Sequence, residues 1–88
     1  MAVDKKQETR SLAVTTTNQL VDWGAPAITQ LYVVADAANV KIDFDQPTDI
    51  GSFLLIANVP VRLTGMQFNI LHASTSSGTA NLYMIGVR

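Results

Sequence analysis

The sequence predicts an all-β fold, a single small antiparallel β-sandwich or jelly-roll-like barrel preceded by an extended N-terminal arm. Three observations carry that expectation. Several runs alternate apolar and polar residues at the period of a half-buried strand, most clearly Val40-Lys41-Ile42-Asp43-Phe44-Asp45. Apolar runs of about five to eight residues recur at spacings of about ten, with Gly, Pro, Asn and Ser between them. No stretch carries the apolar spacing of a convincing amphipathic helix.

In chain order, Met1 to Arg10 mixes Asp4, Lys5, Lys6, Glu8 and Arg10 with two small apolar residues after the initiator Met. It has little to bury, so residues 1–10 are read as the arm and residues 11–88 as the folded domain. Leu12, Val14 and Thr16 then share one face of a Thr-rich first strand. Leu20 to Trp23 is a short, edge-like segment stopped by Gly24 and Pro26, because Pro cannot donate to a central ladder. Ile28 to Ala35 turns Leu31, Val33 and Ala35 to one side and Tyr32 and Val34 to the other. Asp36 to Asn39 supplies turn chemistry before Val40, Ile42 and Phe44 point inward again. Ser52 to Ala57 is a continuous apolar run expected as a buried strand. Val61-Arg62-Leu63 alternates, and Gly65 allows a bulge or tight bend. Met66 to Ala73 and Thr79 to Val87, joined by Ser74 to Gly78, read as a closing β-hairpin. Its last strand turns Leu82 and Met84 in and Tyr83, Ile85 and Val87 out. The expected core is Leu12, Val14, Leu31, Val33, Val40, Ile42, Phe44, Phe53, Leu55, Leu63, Phe68, Ile70, Leu82 and Met84.

At 88 residues the chain is one domain near the low end of what folds alone. It has no cysteine and a single His, so disulfides, cysteine-based zinc sites and His-pair metal sites are out of reach. A small scaffold without such staples commonly gains its missing burial from partner subunits. Only 15% of residues are charged, against about 25% in a typical soluble chain, so much of the surface is expected to face protein. A net charge of −1 lacks the field that draws proteins to nucleic acid or anionic lipid. No apolar run approaches the ~20 residues that cross a bilayer, and no secretion signal is read.

Candidate sites are few. Asp43, Asp45 and Asp49 could present oxygens to a cation, but the run lacks the glycine and closing glutamate of a calcium loop, and a solvated strand face with an Asx turn is the simpler reading. His72 has no second His, no Cys and no nucleophile motif beside it, which makes it a structural or rim residue. Trp23 suits an interface anchor or the edge of the core more than a sugar-stacking platform. With Tyr32, Tyr83, Ile85 and Val87 it makes up the candidate oligomer or partner surface, and Lys5, Lys6 and Arg10 are the candidate arm contacts. No catalytic, cofactor-binding or metal residues are assigned, and no cofactor is expected.

The order of features resembles small structural proteins of tailed bacteriophage virions. The likeness lies in a polar N-terminal arm, the Thr-rich strand SLAVTTT and the strand-turn-strand ITQLYVVADAANVKIDFD. It continues through SFLLIANVPVRL, a glycine before the penultimate strand in LTGMQF, and the ending SGTANLYMIGVR. It spans nearly everything after Arg10. What it implies is a virion component assembled in the host cytoplasm: a capsid decoration or cement protein, a head-fibre base, or a ring protein of the neck or tail. Its implied partners are further copies of itself and other virion proteins, above all the major capsid protein, with neither nucleic acid nor membrane. Such proteins work through surfaces, so no functional residues are carried over. A carbohydrate-binding module using Trp23, Tyr32 or Tyr83 is the competing reading. An enzyme is the third, and one His, one Glu and no Cys leave it little to work with.

Overall fold

The structure, a computed structural model, describes residues 7–46, 48 and 52–88. The strands are β1 (Gln7–Val14), β2 (Gln19–Asp22), β3 (Ile28–Ala35), β4 (Val40–Phe44), β5 (Phe53–Leu55), β6 (Val61–Phe68), β7 (Ile70–Thr75) and β8 (Ala80–Val87). They form two antiparallel four-stranded sheets, ordered β1-β8-β3-β6 and β2-β7-β4-β5. First pairs with last, second with seventh, third with sixth and fourth with fifth. That nested pairing is a jelly roll, a long hairpin wound so that its halves alternate between two sheets.

One apolar core lies between the sheets. Val14, Leu31, Val33, Val40, Ile42, Leu55, Phe68, Leu82 and Met84 are buried in it as expected, and Leu12, Phe44 and Leu63 pack against it half-buried. The alternation in β3, β4 and β8 is what builds it, since inward residues at every second position meet across the gap.

Four expectations are corrected. β1 begins at Gln7, so Gln7 to Arg10 belong to a strand paired with β8 and not to an arm; Lys5 and Lys6 lie outside the described residues. The closing hairpin does not form. β7 pairs with β2 and β4 while β8 pairs with β1 and β3, so residues 76–79 cross from one sheet to the other, and Ser74 and Thr75 are buried strand residues. The chain breaks at Asn69, between β6 and β7, because Asp45 Oδ1 accepts the backbone N–H groups of both Asn69 and Ile70 at 3.0 Å. That break sets the parity of β7, which turns Leu71 and Ala73 inward and leaves Ile70 half-buried outside. Lastly, β5 is three residues at a sheet edge, so only Leu55 reaches the core, with Phe53 and Leu54 exposed.

Gly65 behaves as expected. It adopts φ +71°, and near it the partner position moves from Phe68 to Thr64 while β3 advances only from Ile28 to Gln30. The edge strand β6 is therefore bulged.

Candidate functional site

The outward face of β1-β8-β3-β6 gathers most of the residues expected at an interface. Its register gives successive rows across the strands. Gln7, Val87, Gln30 and Thr64 form one, and Thr9, Ile85, Tyr32 and Arg62 the next. Ser11, Tyr83 and Val34 follow, and Ala13 and Asn81 come after them. Asp36 continues the outward parity of Tyr32 and Val34 one step past the end of β3. Strand alternation places these side chains, since Leu31, Val33, Leu82 and Met84 are held in the core and force their neighbours out.

The middle rows line a shallow groove of about 410 Å³, with Pro60 and Val61 closing it on the β6 side. Tyr32 and Tyr83 are 40% and 49% exposed, which puts two large rings in solvent on one face of a small chain. The Arg62 guanidinium lies 5.6 Å from the centre of the Tyr32 ring. At the other end the Tyr83 hydroxyl donates to Asp36 Oδ2 at 3.3 Å. Asp36 Oδ1 accepts the backbone N–H of Asn81 at 2.8 Å, and Asp36 N donates to Asn81 O at 3.0 Å. The Asn81 N–H holds the Asp36 carboxyl below the ordinary carboxylate range, with smaller help from the Asn81 amide and the Tyr83 hydroxyl. Val87 sits on the same face beyond the groove.

Trp23 is not on this face, nor on any surface. It is 2% exposed in the core, where its ring packs against the backbone of Gly86, so of the readings weighed for it the core position fits, and neither an open sugar platform nor an exposed anchor does. Its indole Nε1 has no hydrogen-bond partner among the described residues. Arg10 lies over the ring at 5.4 Å. Glu8 joins Arg10 Nε at 2.6 Å and Arg88 Nη1 at 3.1 Å, and Arg88 donates to the Trp23 carbonyl, so Arg10 closes one end of the sandwich.

The other outward face is polar. His72 is the Cα partner of Asp43 in the neighbouring strand, in the middle of β7 and 8% exposed, so it is a buried structural residue and not a rim one. Its Nδ1 lies 3.0 Å from the Asn18 amide, and Thr48 joins Asn18 to Ser74 through hydroxyl contacts of 3.4 and 2.7 Å. Asp43 accepts from Gln46, Ser52 and its neighbour's N–H, and the Gln46 amide is the main cause of its lowered pKa. With Asp45 also committed to backbone, these carboxylates serve turns. Asp49 lies outside the described residues, among which no group of three or more His, Asp or Glu is arranged to hold a metal ion.

Arg62 and Asp36 are the site residues that sequence reasoning missed. Outward parity beside Val61 and Leu63 marked Arg62 as solvent-facing, but only the β3–β6 register sets it next to Tyr32. Comparison of the chain with family models, curated proteins and solved structures returns no match.

Proposed function

We propose that this chain is a non-enzymatic structural component of a tailed bacteriophage virion, a capsid decoration protein that self-associates and stabilises the head shell. The observation that carries the reading is the Tyr32–Tyr83 face, an apolar groove on the outside of a sheet whose edges are poor templates for pairing. Of its edges, β1 carries the inward charges Glu8 and Arg10 and β6 is bulged, while the edges of the other sheet, β2 and β5, are only four and three residues long. Each is a device that blunts an edge, which leaves a face as the surface on which this chain meets protein. Burial of such a face contributes about 25 cal/mol per Å² of apolar area, and repetition over a symmetric shell multiplies weak contacts. A neck, tail-ring or fibre-base position uses the same surface.

The test is mass spectrometry of purified particles from a producing lysate. The chain should appear in fixed stoichiometry to the shell protein, and Tyr83→Asp should remove it from particles while the free protein keeps its β-sheet circular dichroism. Absence of the wild-type chain from particles sinks the reading. The carbohydrate-binding alternative has lost Trp23 and keeps Tyr32 and Tyr83, whose exposed rings share one groove. A glycan screen in which binding is abolished by Tyr83→Ala would favour it.

A further inference from the structure

The groove is electrically lopsided. At the level of Tyr32 it carries Arg62, a cation with no carboxylate partner among the described residues. Past Val34, just beyond the groove's lining on the same face, stands Asp36, a carboxylate whose bonds among the described residues all go to uncharged groups. Between them lies the Val34–Tyr83 pair, two residues beyond Tyr32 and two short of Asp36 along β3. Arg62 and Asp36 are therefore equidistant along the strands from the level of Tyr83, about 7 Å on either side at ~3.3 Å per residue.

We propose that two copies of this chain dock groove to groove about a two-fold axis that crosses the strands at the level of Tyr83, with each Arg62 meeting the partner's Asp36. The inference rests on the assembly reading above and names its first partner, a second copy. Such an axis lies in the contact plane and exchanges the two levels, so one self-complementary patch satisfies both charges twice. β3 and β6 are neighbours, about 4.8 Å apart, and sheets packed face to face stand about 10 Å apart. Two facing side chains of these lengths span that gap. Tyr83, on the axis level, packs against its own symmetry mate and the partner's Val34, so the most exposed ring of the face becomes the centre of the contact. The charges lie at the rim, where they set register and exclude parallel or slipped arrangements.

The test uses charge reversal and mixing, read by sedimentation equilibrium over a concentration series. The wild-type chain should be a dimer. Arg62→Asp places four carboxylates in the two contacts and Asp36→Arg places four guanidiniums, so each variant alone should associate at least tenfold more weakly. Their equimolar mixture should recover the dimer, because a heterodimer holds one native pair and one reversed pair. Asp36→Asn guards against misfolding of Asp36→Arg: it keeps an oxygen for the Asn81 N–H, and it too should weaken association. Singles that dimerise as wild type does, a mixture that stays monomeric, a closed trimer, or a wild-type monomer throughout the series would each overturn the two-fold dimer. None of these outcomes touches the particle measurement, so the assembly reading stands or falls separately.

Discussion

A Cβ on Gly86 would sit 2.9 Å from Cζ3 of Trp23 and 3.1 Å from Cδ1 of Ile28. Neither neighbour can retreat easily, since Ile28 is fully buried and Trp23 is held beneath Arg10. Gly86→Ala should therefore cost about 1–3 kcal/mol through overpacking, read as a lower denaturant midpoint at unchanged m-value. A midpoint equal to wild type would mean that the indole is looser than its contacts imply. The same burial bears on spectroscopy. Trp23 emission should be blue-shifted in the monomer and stay fixed across a dilution series in which scattering reports dissociation; a red shift on dilution would place the indole at the interface after all. Nothing in Leu20-Val21-Asp22-Trp23 distinguishes this outcome from an exposed anchor. It is settled by Arg10, Ile28 and Gly86, of which Arg10 and Gly86 are distant in the chain and reach Trp23 only through the nested pairing of β1, β3 and β8.

At the scale of elements, the register of β7 offers a direct contrast between adjacent residues. Leu71→Ala removes a fully buried side chain and should cost about 2–5 kcal/mol, whereas Ile70→Ala, outward and half-buried, should cost clearly less. Equal costs would contradict the parity set by the break at Asn69. The alternation of β3, β4 and β8 was legible because one residue in two must enter the core, and so were the edge character of β2 and the bulge at Gly65. The hairpin was misread for a physical reason. Two apolar strands joined by a short polar run look alike whether they pair with each other or cross between sheets, since the crossing residues 76–79 are exposed in either case. Charge misled at the N-terminus. Glu8 and Arg10 look unsuited to a strand until Arg88, eighty residues away, and the face of Trp23 supply their partners. Removing residues 1–10 would consequently strip half of β1 from β8, so a deletion that probes Lys5 and Lys6 alone must stop before Gln7.

For the molecule as a whole, acid is the sharpest probe, because the same carboxylate serves the fold and the proposed contact. Asp36 is held below its ordinary range first by the Asn81 N–H, and Asp43 first by the Gln46 amide. A carboxyl whose native pKa is depressed contributes stability above its unfolded value, about 3.9 for Asp, and loses it as pH falls through the lower native value. Stability from these two groups should therefore be level from neutral pH to about pH 5 and decline below about pH 4. Both are exposed, so the decline is shallow in the monomer. Association should follow the same direction more steeply. Protonation of Asp36 discharges two symmetry-related contacts at once and leaves both Arg62 side chains without a partner. The dimer should thus survive at pH values where an ordinary aspartate is half protonated and dissociate below them, while circular dichroism still reports folded sheet. Added salt at neutral pH should weaken it in the same sense, because the pairs sit at a solvent-accessible rim. Asp36→Asn separates the two roles. It should abolish the acid step in association while leaving the part of the acid decline in stability that belongs to Asp43, and association that strengthens on acidification would remove Asp36 from the contact.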